Sequence, residues 1–143
     1  MIIPHAKPGS SSTTIDARKA LGPETRIVAI DIMPPSKSLT KKLDKRSRIE
    51  TLQHSIANEP LPFLCDALRF ANVSHHMAQS ERRRAVVNCW KSLKLGGYLL
   101  GADRRDGYDI QFILRKTRRG FDVLESYNMI SGLKTIPRFF KNH

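Results

Sequence analysis

Long apolar runs are absent from these 143 residues. No stretch approaches the roughly 20 consecutive apolar residues that a membrane-crossing helix needs. Residues 1–12 lack the basic start and apolar centre of a secretory leader. The expectation is a cytoplasmic protein without a membrane partner. Cysteine is scarce, with Cys65 and Cys89 the two present. That pair makes neither a disulfide framework nor a zinc-ligand pattern, so both thiols are expected to be reduced and buried, and no metal site is expected. Acids are outnumbered, 13 against 25 Lys and Arg, leaving a net charge of +12. Such a balance suits an anionic partner. The basic residues, however, are dispersed over 41–48, 82–84, 104–105, 115–119 and 138–141. They come with little aromatic interleaving and no RNA-binding signature, so a solvated basic surface is favoured over direct nucleic-acid contact. A Gly-x-Ser-x-Gly elbow and a phosphate-binding Gly-Lys-Ser/Thr loop are both missing, which removes two common hydrolase designs. No internal repeat is visible.

The pattern that is present is one of alternating strands and helices. Residues 26–32, Arg-Ile-Val-Ala-Ile-Asp-Ile, read as a buried strand ending in an acid. A helix capped by Ser12 or Thr13 is expected before it, running to Leu21 and stopped by Gly22. Pro34-Pro35 breaks the chain after it, and 36–45 suit a short basic helix. Residues 48–53 read as a third strand. Residues 67–73 are short and mostly apolar, as in a strand buried on both faces. Ser80 is placed to cap a helix from Glu81, with Val86, Cys89, Trp90 and Leu93 on one stripe. Trp90 is expected to pack that helix against the sheet. Gly96-Gly97 reads as the helix stop, Tyr98–Leu100 as the start of the next strand, and 101–107 as a charged loop. Residues 109–115 and 121–127 form a hairpin around the basic turn Lys116-Thr117-Arg118-Arg119-Gly120. Strand, crossover helix and strand make a right-handed parallel unit. The length fits one domain over 1–128 with a basic tail at 129–143.

Two pieces carry a specific resemblance. The first is Asp66-Ala67-Leu68-Arg69-Phe70-Ala71-Asn72-Val73-Ser74-His75-His76-Met77, and the second is Leu93-Lys94-Leu95-Gly96-Gly97-Tyr98-Leu99-Leu100. At this separation they resemble the fourth and fifth strands of class I S-adenosylmethionine-dependent methyltransferases, with Leu95 where that family usually carries proline. Residues 12–32 resemble the first helix and second strand of the same fold. The resemblance implies an α/β, Rossmann-like, mostly parallel sheet with helices on both faces and a C-terminal antiparallel hairpin. It also implies S-adenosylmethionine as cofactor and methyl transfer as the activity, with an acceptor that the sequence does not specify.

The resemblance thins at the front. The family's first strand runs into a loop of the pattern acid-x-Gly-x-Gly-x-Gly. Aligning Gly9 with the last glycine puts Ile3, His5 and Lys7 at the other three positions. The chain therefore reads as N-terminally truncated, without most of the loop. Three explanations stay open: a start further upstream, a remnant that no longer binds cofactor, or a short substitute strand within residues 1–6.

By resemblance, Asp31 accepts hydrogen bonds from the two ribose hydroxyls, with Ile32 beside it. A carboxylate suits that task because it offers two acceptor oxygens to a cis-diol. Ser55 stands where the family usually places an acid near the adenine amino group, with Ile56 next to it. Gly9 and Asn72 fall at the cofactor's amino-acid end. His75 and His76 border the methyl group and are the candidate bases, since imidazole titrates near neutrality; one capping a helix and the other packing is the competing reading. A second function class is a non-catalytic remnant that acts as a basic binding or partner module.

Overall fold

The computed structural model describes residues 2–4, 18–32, 49–71, 76–105 and 108–128. Seven strands form one sheet in the order β3-β2-β1-β4-β5-β6-β7. They are β1 (Ile2–Pro4), β2 (Ile27–Asp31), β3 (Ile49–Gln53), β4 (Cys65–Ala71), β5 (Leu93–Arg105), β6 (Tyr108–Thr117) and β7 (Gly120–Asn128). The first five are mutually parallel, while β6 runs antiparallel to β5 and β7 antiparallel to β6.

The central position is filled by three residues. Ile2, Ile3 and Pro4 pair with Val28, Ala29 and Ile30 of β2. On the other side, Ile2 pairs with Leu68 of β4. A short strand within residues 1–6, as the third explanation expects, is present at Ile2–Pro4. It satisfies backbone groups that β2 and β4 would otherwise bury unpaired. Proline at its end fits, because a residue without an N–H belongs where pairing stops. Residues 5–17, with Gly9, lie outside the described residues, as do 33–48 and 129–143.

β2 is buried along Ile27, Val28, Ala29 and Ile30, and β3 joins it in parallel register, Ile27 against Ile49 through Asp31 against Gln53. The exposed pair Arg26 and Glu50 meets bidentately at 2.8 Å across the start of both strands. Before β2, residues 18–21 are helical, and the Gly22 N–H donates to the Arg18 carbonyl. The stop at Gly22 agrees with expectation; the start of that helix is outside the described residues.

The crossover helix spans Gln79–Ser92, two residues earlier than expected. Ser80 lies inside it. Its start is held by Glu81, whose carboxylate accepts the Ala78 N–H at 2.7 Å. The buried stripe is Ala85, Val86, Asn88, Cys89 and Ser92, which packs on Leu68, Phe70, Leu99, Phe112 and Leu114 of the sheet. Cys65 and Cys89 are free and buried, as expected. Trp90 does join helix to sheet: its indole N–H donates to the carbonyls of Thr117 and Gly120, at 3.1 and 3.0 Å, and so latches the β6–β7 turn. Lys116 sits 4.2 Å over the indole ring.

Two expectations about β5 are corrected. Gly96-Gly97 does not end the helix, because the chain passes into β5 at Leu93. The glycines instead form a bulge, since Cys65 pairs with Leu93 but Ala67 pairs with Tyr98. Gly96 has φ +80°, and a Cβ on Gly97 would lie 2.9 Å from the carbonyls of Asp66 and Lys94. The charged stretch read as a loop at 101–107 is strand as far as Arg105, paired with β6 down to Arg105 against Tyr108. A charged strand end at the rim of a hairpin lacks apolar alternation, so the pattern alone reads as loop.

Candidate functional site

In an open parallel sheet, ligands bind beyond the carboxyl ends of the strands, where the strand order reverses. Here the reversal lies between β1 and β4. From β1 the chain proceeds to β2 and β3 on one side, and then to β4 and β5 on the other. The ends that converge there are Pro4, Asp31, Gln53 and Ala71.

Asp31 is half-buried at the end of β2, and Ile32 beside it is 62% exposed. An exposed apolar side chain thus follows a carboxylate at the end of β2. The backbone beneath is pinned twice. The His54 N–H donates to the Asp31 carbonyl at 2.9 Å, and the Gln53 side-chain amide donates to the Ile32 carbonyl at 3.2 Å. The backbone that carries Asp31 is therefore fixed by β3 as well as by β2.

Ser55 follows β3 directly. Its carbonyl accepts the Asn58 and Glu59 N–H groups, at 3.0 and 3.2 Å, which folds 55–59 into a tight turn. Ile56 is buried in the core, so its side chain faces the crossover helix. Three residues of that helix hold this turn and the segment after it. The Asn88 amide donates to the Ile56 carbonyl at 2.8 Å, Arg84 Nε donates to the Ala57 carbonyl at 3.2 Å, and the Ser92 hydroxyl accepts the Leu61 N–H at 2.8 Å. None of the three was singled out in the sequence. A buried Asn on an apolar helical stripe was the signal, since a buried amide needs partners.

Asp31 thus lies at the end of β2 with Ile32 just after it, and Ser55 lies two residues past the end of the adjacent β3. His76 is exposed just ahead of the crossover helix. Gly9, Asn72 and His75 fall outside the described residues. Among the described residues, no group of three His, Cys, Asp or Glu could hold a metal ion, and no helix is long and apolar enough to cross a membrane.

Burial raises both thiols. Cys65 is pushed up to about 11, chiefly by desolvation, and its Sγ lies 3.4 Å from the Ser92 carbonyl. Cys89 is raised further by the same cause. Neither is a nucleophile at neutral pH. Arg69, half-buried on β4, is lowered by desolvation.

Residues 8–101 match the family described as "Methyltransferase domain". Among solved structures, the chain is similar to the N-methyltransferase NodS from Bradyrhizobium japonicum WM9, in complex with S-adenosyl-L-homocysteine. That likeness has 24% identity and a TM-score of 0.57, covering 73% of this chain and 52% of that one. It is also similar to an O-methyltransferase from a trans-AT PKS multienzyme of Brevibacillus brevis, again with S-adenosyl-L-homocysteine, at 17% identity and a TM-score of 0.55, covering 71% and 34%. The pyocyanin biosynthetic protein PhzM aligns at 16% identity with a TM-score of 0.57, covering 72% and 31%. The chain therefore spans about half the length of NodS and about a third of the other two. No curated protein sequence matches it.

Proposed function

The chain belongs to the methyltransferase domain family, and from that premise we propose that it binds S-adenosylmethionine at the ends of β1, β2 and β3 and serves methyl transfer to an acceptor. The observation that carries this reading is Asp31: a half-buried carboxylate with a doubly pinned backbone, at the end of the strand beside the reversal of the sheet. Its two oxygens suit the ribose diol, the exposed Ile32 suits a face of the adenine, and the turn at Ser55 closes the same edge. S-adenosylmethionine, when bound, supplies an electrophilic methyl on a sulfonium.

The protein's share is position and proton handling. Asp31 fixes the nucleoside. The end of β4 lies across the reversal from Asp31, and Asn72, His75 and His76 follow β4 in the sequence. A histidine there takes the proton that a hydroxyl or ammonium acceptor loses as it is methylated. His76 is exposed at this end of the sheet, within the same segment as His75.

Calorimetric titration with S-adenosylhomocysteine tests the reading. One-to-one binding is expected. Asp31→Ala removes two charge-assisted hydrogen bonds and should weaken binding at least tenfold, since one such bond is worth about 1.5–3 kcal/mol. A folded chain that fails to bind would sink the proposal.

A second reading rests on one observation. Arg83, Arg84, Lys91, Arg118 and Arg119 are all exposed along the crossover helix and the β6–β7 turn. A binding module for polyanions would use them, and its affinity would fall steeply with salt.

A further inference from the structure

The face of the sheet turned away from the crossover helix carries a row of four cross-strand partners. Arg69 of β4 stands against Leu100 of β5, Leu100 against Ile113 of β6, and Ile113 against Glu125 of β7. The next rung toward the strand end of β4 holds Ala102 against Gln111. These six side chains line a cavity of about 330 Å³. The neighbouring rows, Leu68–Leu99–Leu114 and Phe70–Gly101–Phe112, point to the opposite face and form the core.

Arg69 is the unusual member. It is half-buried, sits between the core residues Leu68 and Phe70 of β4, and has no hydrogen bond or ion pair among the described residues. Glu125 does not compensate it: three strand spacings separate them, roughly 14 Å. A half-buried guanidinium without a partner is costly unless something anionic joins it. Between the two charges the floor is Leu100 and Ile113, so the occupant needs an apolar body. The place also fits. Arg69 lies two residues before the end of β4, about 7 Å from it. β1 alone separates β4 from β2, whose Asp31 is assigned to the nucleoside.

We propose that this cavity is the acceptor site, and that it selects an acceptor with an apolar or aromatic body and a carboxylate, which Arg69 anchors bidentately. The proposal rests on the methyltransferase reading for the word acceptor, but not for the binding itself. Arg69 is a specificity residue and takes no part in bond making. The geometry of a guanidinium fork suits a carboxylate better than any neutral group.

The test is calorimetry on the full chain with 2-naphthoate and its neutral counterpart 2-naphthamide. Naphthoate should bind at least tenfold tighter than the amide. Arg69→Leu should erase that difference and leave S-adenosylhomocysteine affinity within twofold of the unmodified chain. Equal binding of the two probes, binding of neither, or an unaltered preference in Arg69→Leu would each overturn the proposal. A loss of S-adenosylhomocysteine affinity in Arg69→Leu would overturn it too, by assigning the arginine to the cofactor. If Arg69→Leu does not fold, Ile113→Trp fills the cavity from its floor and must abolish naphthoate binding. Failure of the unmodified chain to bind S-adenosylhomocysteine would sink the methyltransferase reading alone, because the naphthoate preference is read without it.

Discussion

Gly101→Ala is a sharp test of how the sheet is built. Gly101 faces Phe112 across β5 and β6, and a Cβ built on it would overlap the Phe112 ring. Phe112 is 3% exposed and belongs to the core, so its ring cannot swing aside into solvent. Inserting a methyl into a packed core costs about 1–3 kcal/mol. Here the obstacle is an aromatic ring fixed by backbone pairing on both strands, so the upper end, about 3 kcal/mol, is expected. With a urea m-value of about 1.5 kcal/mol/M for a small domain, the unfolding midpoint should fall by about 2 M. The double variant Gly101→Ala/Phe112→Leu separates this cause from a general glycine effect. Phe112→Leu alone should cost about 1–2 kcal/mol in lost burial. Adding Gly101→Ala to it should cost little more, because the smaller side chain vacates the space. The coupling between the two should therefore be 2 kcal/mol or so. A Gly101→Ala variant within 0.5 kcal/mol of the unmodified chain, or strictly additive effects, would refute the reasoning.

Two further outcomes are expected. Asn88→Ala leaves the buried Ile56 carbonyl without its donor, which should cost about 1–3 kcal/mol in urea unfolding; it should also speed amide hydrogen exchange over 54–59 and weaken S-adenosylhomocysteine binding, because the turn at Ser55 loses an anchor. The buried thiols set an alkaline limit. Cys65 titrates near 11 in the fold against 9.0 as the ordinary value, so between these pH values the unfolded chain has shed a proton that the native one retains. Stability should fall as pH rises from about 9 to 11, and Cys65→Ala should flatten that slope by up to about one proton, or 1.4 kcal/mol per pH unit; an unaltered slope in urea titrations across this range would contradict it.

β2 was legible as a short apolar run ending in an acid, β3 as a short run mixing Ile49 and Leu52 with polar residues, and their observed ends fall within one residue of those expected. The β6–β7 hairpin was legible from its basic, glycine-ended turn. β4 was placed two residues late. Its first residue, Cys65, pairs with Leu93 across a bulge that no alternation pattern announces. The same bulge explains Gly96-Gly97: a left-handed glycine followed by one in close backbone contact looks, in sequence, like a helix stop. The helix start was misjudged because a serine was preferred as cap, whereas the Glu81 side chain does the work from inside the helix. Of the candidate positions, Asp31 and Ser55 could be read, at a strand end and just after one, because the resemblance marks those strands. Arg69 could not. In a row of apolar residues it looks like an ordinary outward-facing charge, and only the register across four strands shows that it stands over a cavity.

The three residues of β1 have a consequence for assembly. They leave the ribosome before β2 and β4, yet they must be inserted between those two strands. Joining Ile2 to Val28 closes a short loop, whereas joining it to Leu68 closes a longer one, at about 1 kcal/mol more in chain entropy. The nascent chain therefore has every reason to build the β1–β2–β3 half first and to recruit β4–β7 onto its open side. The smallest strand is then the seam between two folding units.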